Sequence, residues 1–157
     1  MTDEAPAATQ LYLISPLDVG GAFPDRLARA LDAAPVAAFQ FRVKGLDEHQ
    51  AARLAEPLQA ICAARDVAFI VNDSISLAKR LGADGVHLGQ SDGEVAEARQ
   101  RLGRDAQIGV TCHNSRHLAM EAGEAGRTMS RSAHSSPVAP SRPSTGPSRT
   151  CSAGGRD

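Results

Sequence analysis

Ten polar residues that could bind a charged substrate follow four short apolar runs of this chain. The runs are typical of buried strands, and the polar residues lie at or just past the carboxyl ends. Ligands of parallel sheets and barrels bind at that edge, so these side chains are expected to gather at one site. In chain order they are Gln40, Arg42, Lys44, Asn72, Asp73, His87, Gln90, Asp92, Thr111 and His113.

Two carboxylates in this set, Asp73 and Asp92, supply the hard oxygen ligands that Mg²⁺ prefers, and the Asn72 amide is adjacent. That ion commonly takes one or two protein carboxylates together with substrate phosphates. Arg42 would hold phosphate oxygens as a fork, and Lys44 as a point charge. Neutral side chains on the second and fifth strands are suited to orienting a heterocycle. The residue types therefore predict a site for a diphosphate whose charge is neutralised by a metal.

Each motif has a simpler explanation when it stands alone. Asp73 after a strand is typical of a helix cap, and the alternation that begins at Gln40 is typical of a solvated strand end. His87, between two apolar residues, fits a structural histidine. Cys112 lies near two histidines, as in a Cys/His nucleophile, but the sequence names no group to orient such a pair. The joint occurrence on four consecutive strands favours the binding site.

Strands and helices are expected to alternate along residues 11–126. Short apolar runs predict strands over 11–14, 36–42, 67–71, 85–88 and 108–111. Apolar residues at spacings of three and four predict helices over 23–31, 47–65, 77–81 and 95–102, and a fifth that begins at Ser115. Asp47 and Gly103 are the expected N-cap and C-cap of two helices. Five βα units indicate an α/β fold, an incomplete (β/α)8 TIM barrel, with a complete doubly wound sheet as the alternative.

Composition excludes several classes of protein. The 157 residues carry a formal net charge of −1, which gives no electrostatic basis for binding nucleic acid or a membrane. Aromatic residues make up 3%, so the expected core consists of Leu, Val, Ile and Ala. Residues 1–10 lack the features of a signal peptide and are expected to be flexible. No apolar run approaches the length of about 18 residues that a membrane helix needs.

Three scattered cysteines, Cys62, Cys112 and Cys151, form no Cys-x-x-Cys pair, so a zinc site is not expected. Such a set is compatible with a reducing cytosol. We therefore predict a soluble cytoplasmic protein with small-molecule substrates and no nucleic-acid or membrane partner. Self-association into a homo-oligomer stays open.

Residues 127–157 differ in composition from the preceding chain. They hold eight Ser, four Pro, five Arg and one Asp, whereas residues 1–126 carry 12 basic and 17 acidic side chains. Only Met129 and Val138 are sizeable aliphatic residues. Such a segment cannot bury enough apolar surface to offset its ordering entropy. We predict a partial barrel over residues 11–126 and a disordered tail from residue 127.

Four ordered motifs resemble those of the thiamine-phosphate synthase family. They are Gln-Phe-Arg-Val-Lys at residues 40–44, Val-Asn-Asp at 71–73, Gly-Val-His-Leu-Gly-Gln-Ser-Asp at 85–92 and Gly-Val-Thr-Cys-His at 109–113. The resemblance implies a TIM barrel that joins hydroxymethylpyrimidine diphosphate to a thiazole phosphate, with Mg²⁺ on the diphosphate. Thiamine phosphate and diphosphate are the implied products, and the pyrimidine departs as a stabilised cation that the thiazole nitrogen captures.

The resemblance also implies a role for each matching residue. Asp73 and Asp92 correspond to the Mg²⁺ ligands. A catalytic role falls to Arg42 and Lys44, which clamp the diphosphate, and to Thr111, where the family usually has Ser. The residues implied to bind substrate are Gln40, Phe41, Arg42, Val43, Lys44, Asn72 and Thr111. A related thiazole tautomerase shares the fold but matches the diphosphate and metal residues less fully.

The resemblance to the family is predicted to stop at Gly126. Members continue with a sixth strand, a Lys-bearing loop of the F-P-x-x-T-K type and two further βα units that bind the thiazole phosphate. With permitted codons, a one-base shift of frame lets residues 126–141 read ADYVAFGAFFPSGTK, which matches that strand and loop. We therefore hypothesise a frameshift, and resequencing the gene across this junction tests it.

A chain with only the first part of the barrel is expected to lack activity. An unclosed barrel exposes two sheet edges and an apolar interior, and the thiazole-phosphate half of the site is missing. We predict poor solubility or a molten product, and no turnover. The alternatives are an inert fragment and a non-catalytic protein that binds the pyrimidine diphosphate with Mg²⁺.

Overall fold

Parallel strands and helices alternate through the computed structural model, which describes residues 9–89, 94–112, 120, 124 and 128–131. For residues 129–131 only the backbone is described. No helix in these ranges combines the length and the apolar character needed to cross a membrane. In chain order the elements are β1 (Leu11–Ile14), α1 (Phe23–Ala33), β2 (Val36–Phe41), α2 (Glu48–Ala63), β3 (Ala68–Asn72), α3 (Ile75–Leu81), β4 (Gly85–Leu88), α4 (Val95–Leu102), β5 (Gln107–Thr111) and β6 (Met129–Arg131).

The described strands form one sheet in the order β1-β2-β3-β4-β5-β6, and every neighbouring pair is parallel. Consecutive helices pack against one another, α1 on α2, α2 on α3 and α3 on α4. A doubly wound sheet reverses its strand order at a switch point, whereas this sheet follows the chain throughout. The predicted α/β partial barrel is therefore confirmed, and the doubly wound alternative is wrong.

Strand β6 corrects the predicted start of the tail. Met129–Arg131 pair with residues 109–111 of β5, and the Thr128 N–H donates to the Ile108 carbonyl at 2.8 Å. Backbone groups can pair along a sheet edge whatever their side chains are, and composition does not reveal this. The predicted disorder therefore does not hold at residues 128–131. The remainder of the tail lies outside the described residues, as does the helix predicted from Ser115 except at residues 120 and 124.

Both predicted caps lie where the sequence placed them. The Asp47 carboxylate accepts the Gln50 N–H at 2.8 Å, and the Gln50 side chain accepts the Asp47 N–H at 3.3 Å. This reciprocal capping box begins α2 directly after the loop that follows β2. Gly103 ends α4 with a φ of 94°, a conformation that side chains rarely adopt.

Three phenylalanine rings lie in the core between the sheet and the helices. Phe39, Phe41 and Phe69 are each 1% exposed, and the Phe69 ring centroid lies 5.9 Å from each of the other two. Leu58 and Cys62 of α2 belong to the same buried cluster. The expectation of a purely aliphatic core is wrong, because the few aromatic residues are concentrated on two adjacent strands.

The opposite face of the sheet carries polar side chains towards its carboxyl end. Side chains alternate between the two faces along a strand. The face opposite to the phenylalanines therefore carries Gln40, Asn72, His87 and Thr111. In the register, Asn72 lies beside His87, and His87 lies beside Gly109, two residues before Thr111. Adjacent strands thus bring together polar residues that are far apart in the sequence.

Candidate active site

A cavity of about 260 Å³ lies between the loops that follow β2 and β3. Five of the nine residues predicted to bind substrate or metal border it, and they come from these two strand ends. They are Phe41, Val43, Lys44, Asn72 and Asp73. The carboxyl edge of the sheet therefore does hold a concave site next to predicted functional residues.

An ion pair between Lys44 Nζ and Asp73 Oδ2 lies at this cavity. The two residues are 29 positions apart, and they meet because β2 and β3 are parallel neighbours in which Phe41 lies beside Val71. The Lys44 side chain is 53% exposed and the Asp73 side chain 27%. The residue predicted to bind phosphate thus contacts one predicted to bind a metal.

The backbone of Asp73 is held in an uncommon conformation. Its φ is 66°, in the left-handed region, where Asp is among the better tolerated residues other than glycine. The Asp73 N–H donates to the His87 carbonyl at 2.8 Å. Directly after it, the Ser74 hydroxyl caps α3 by accepting the Leu77 N–H at 3.1 Å. Strained residues that are held on both sides in this way occur preferentially at functional sites.

Gln40 and Arg42 lie at the end of β2 but do not border the cavity. Gln40 is 3% exposed, and its Nε2 donates to the Tyr12 hydroxyl at 3.3 Å. The Arg42 N–H donates to Ser15 Oγ at 2.8 Å, which joins the end of β2 to the chain after β1. The Arg42 side chain itself is exposed and accessible to a ligand at this edge.

Thr111 contacts His87 across neighbouring strands. The distance between Thr111 Oγ1 and His87 Nε2 is 2.8 Å, and the imidazole is 7% exposed. Both residues lie away from the cavity, on the polar face of the sheet. The structural role expected for His87 thus includes orienting a residue that was predicted to act on substrate.

Phe41 supports the cavity with a buried ring rather than with a polar group. The ring stacks on Phe69 with an interplanar angle of 26°. Asn72 is half-buried at the end of β3. The second predicted metal ligand, Asp92, lies outside the described residues, and so do Gln90 and His113.

Glu48 borders the same cavity and was missed by the sequence analysis. Its Oε2 accepts the Ser76 hydroxyl at 2.7 Å, and Arg80 Nη1 lies 3.8 Å from its Oε1. These contacts join the start of α2 to α3 beside Asp73. The sequence did indicate Glu48 by its position. It is the first residue of the helix that Asp47 caps, and the loop that leads to this helix carries Lys44.

The carboxylates at the cavity could supply some of the ligands of a hard divalent cation. Asp73 offers a partly exposed carboxylate, and Glu48 offers a second one in the same wall. Within the described ranges no group of three His, Cys, Asp or Glu residues is close enough to form a protein-only metal site. This arrangement suits an ion that takes few protein ligands and completes its shell with substrate oxygens.

Residues 11–142 match the family model described as thiamine monophosphate synthase. The chain belongs to this family. It is 77% identical over 125 residues to a thiamine-phosphate synthase from Erythrobacter litoralis, and the match covers 78% of this chain and 59% of that protein. With the Rhodospirillum centenum protein of the same name the identity is 52% over 118 residues, covering 74% and 57%. The chain therefore spans about three fifths of the length of these relatives.

Solved structures agree on the fold. A thiamine phosphate pyrophosphorylase from Pyrococcus furiosus aligns with a TM-score of 0.69 at 24% identity, over 78% of this chain and 59% of that one. A putative fructose-1,6-biphosphate aldolase from Coccidioides immitis aligns with a TM-score of 0.61 at 14% identity, over 77% and 50%. The predicted resemblance to thiamine-phosphate synthases is thus confirmed by sequence, and the barrel wall by structure.

Proposed function

We propose that this chain takes part in thiamine phosphate synthesis and carries the site for hydroxymethylpyrimidine diphosphate. The observation that supports this is the Lys44–Asp73 pair beside a cavity at the carboxyl edge of the sheet. In the proposed reaction the bond between the pyrimidine methylene carbon and the diphosphate oxygen breaks, and the thiazole nitrogen bonds to that carbon. The diphosphate leaves with the electron pair, so the site must stabilise a developing polyanion.

The proposed roles follow from side-chain chemistry and position. Lys44 donates to phosphate oxygens from the cavity wall, and the exposed guanidinium of Arg42 adds a forked contact from the same strand end. Gln40 and Asn72 orient the pyrimidine from the polar face. Thr111 does so with a hydroxyl that His87 already holds.

Mg²⁺ is the proposed cofactor, and the oxygen donor of Asp73 supports this choice. When bound, the ion supplies charge neutralisation for the leaving diphosphate. Asp73 and Asp92 are its proposed protein ligands, and phosphate oxygens would complete the shell.

Titration calorimetry with hydroxymethylpyrimidine diphosphate, with and without Mg²⁺, tests the site. We expect Mg²⁺-dependent binding by the purified chain and loss of that dependence in Asp73→Asn and Asp92→Asn. Lys44→Gln is expected to weaken binding about tenfold or more, because a charged hydrogen bond is lost. Lys79→Gln is the matched control, since Lys79 is the chain's other lysine and lies exposed on α3. Equal affinity in all variants would contradict the proposal.

A non-catalytic protein that binds the pyrimidine diphosphate with Mg²⁺ is the second candidate, and it is supported by the cavity, which borders the proposed diphosphate-binding Lys44 and the proposed metal ligand Asp73. A binder would bind the pyrimidine diphosphate without forming thiamine phosphate, whereas a synthase would form it. A coupled assay for thiamine phosphate distinguishes the two candidates. Turnover by this chain would exclude the binder and overturn the expectation of inactivity.

A cytoplasmic location is part of the proposal. The cysteines of the described residues, Cys62 and Cys112, are free and buried, as is usual in a reducing compartment.

A further inference from the structure

The Lys44 ammonium is ion-paired with the Asp73 carboxylate, which a bound metal ion would need as a ligand. We propose that Lys44 is the resident cation of Asp73 in the ligand-free site, and that a divalent ion must displace it to bind. The metal would then bind weakly alone and more tightly with the diphosphate, which offers Lys44 a new anionic partner. This inference rests on the proposed metal role of Asp73.

Contacts of the two residues indicate which one moves. Asp73 is fixed by its N–H bond to the His87 carbonyl and by the helix that Ser74 caps directly after it. Lys44 lies in the loop after β2, next to Gly45 with a φ of 72°. Its side chain is 53% exposed and has four rotatable bonds. Displacement of the Lys44 ammonium therefore requires no change in the sheet.

The neighbouring carboxylate does not offer Lys44 an equivalent partner. Glu48 accepts the Ser76 hydroxyl at 2.7 Å and lies 3.8 Å from Arg80 Nη1. Its negative charge is thus already shared with α3. A diphosphate bound in the cavity would instead offer several anionic oxygens to Lys44, which borders the cavity.

The expected change in metal affinity follows from the exposure of the Lys44–Asp73 ion pair. Partly exposed ion pairs contribute little, so their removal is expected to change the affinity of a competing cation about two- to fivefold. Lys44→Gln should therefore tighten metal binding in the absence of diphosphate. The same substitution should weaken diphosphate binding, and a residue that only repels the metal or only binds phosphate would not change both in this way.

The affinity of the full chain for Mn²⁺ can be measured by titration, with electron paramagnetic resonance reporting the concentration of free Mn²⁺. We expect Lys44→Gln to bind about two- to fivefold more tightly than the unmodified protein, and Asp73→Asn to lose this binding. Arg42→Gln is the control for general repulsion, because Arg42 carries an equal charge at the same strand end without contacting Asp73. Lys79→Gln is the control for loss of a remote lysine.

The small number of lysines allows a second readout. Lys44 and Lys79 are the two lysines of the chain, so ¹³C-dimethylation gives two lysine methyl signals besides that of the amino terminus. Titration with Mg²⁺ should shift the Lys44 signal and leave the Lys79 signal in place.

Three outcomes would overturn the inference, and they separate it from the proposed function. Equal or weaker Mn²⁺ binding by Lys44→Gln, with binding still lost in Asp73→Asn, excludes displacement and leaves the metal site standing. Equal tightening by Arg42→Gln and Lys44→Gln shows general repulsion instead of displacement. Unchanged binding by Asp73→Asn removes the metal role of that residue, and the inference with it.

Discussion

His87 Nε2 lies 2.8 Å from Thr111 Oγ1, so an imidazole on β4 holds a hydroxyl on β5 across the polar face of the sheet. The imidazole is 7% exposed, and the neighbours of His87 in the strand, Val86 and Leu88, are buried. A hydroxyl with this partner has one preferred orientation before any ligand arrives. The two strands therefore supply a preorganised hydrogen-bonding group rather than two independent ones.

Thr111→Val is expected to destabilise the junction of β4 and β5 by about 1–3 kcal/mol, because a buried imidazole nitrogen loses its hydrogen bond to the Thr111 hydroxyl. Thr111→Ser keeps the hydroxyl and should stay within about 0.5 kcal/mol of the parent protein. Hydrogen exchange of the β4 and β5 amides measures the local opening free energy of each variant. Equal protection in both variants would mean that the His87–Thr111 contact contributes nothing.

Gly85→Ala is expected to disrupt the start of β4. A Cβ at this position would lie 2.0 Å from the Gln107 carbonyl oxygen, and a backbone atom of a paired strand cannot simply rotate away. We expect the substitution to lower the free energy of unfolding by about 1–3 kcal/mol or more. Gly20→Ala is the matched control, since its Cβ would meet only the Asp18 side chain, at 3.3 Å. Similar urea unfolding midpoints for the two variants would contradict the prediction.

Asp84 is expected to stabilise the sheet through the backbone of Phe69. Its Oδ2 accepts the Phe69 N–H at 2.7 Å, and its own N–H donates to the Phe69 carbonyl at 3.0 Å. Asp84→Ala leaves the Phe69 N–H without its acceptor, which should cost about 1–3 kcal/mol. Asp84→Asn retains a carbonyl oxygen that can accept the Phe69 N–H, so it should lose less stability than Asp84→Ala. The exchange rate of the Phe69 amide reports the difference directly, and identical rates in the two variants would sink the idea.

Cys62 is expected to make the stability of the protein fall at alkaline pH. Burial raises the pKa of its thiol from 9.0 to about 11, and the Asp84 carboxylate adds to the rise. The thiol ionises first in the unfolded chain, so stability is fully present below pH 9.0 and falls as pH rises towards 11. By pH 11 the loss amounts to about 2 kcal/mol.

Comparing the parent protein with Cys62→Ala isolates this contribution, because all other groups titrate in both. The free energy of unfolding of the parent should fall more steeply between pH 9 and 11 than that of the variant. Parallel curves over this range would show that the thiol is not responsible.

The order of the elements could be predicted because each βα unit carries local signals, such as the apolar run of β3 and the Asp47 cap of α2. Pairing of Lys44 with Asp73 required the additional inference that the strands are parallel. Glu48 was missed because carboxylates are common in the first turn of a helix, so its position after the loop that carries Lys44 was a weak signal. Strand β6 was missed because backbone pairing does not depend on the composition that was used to judge the tail. Poor solubility, molten behaviour and the frameshift stay predictions.

The strand order also bears on how the chain folds. Each strand pairs with its predecessor in sequence, so the separation of paired residues runs from 15 positions for Ile70 and Gly85 to 30 for Ala38 and Ala68. Differences in loop length within this range change the closure entropy only slightly, and no pairing among the described strands has to wait for a distant part of the chain. Folding can therefore grow by one βα unit at a time, and the Lys44–Asp73 site is complete once β4 supplies the His87 carbonyl that holds the Asp73 N–H. A nascent chain would therefore complete this site only after β4 has emerged from the ribosome.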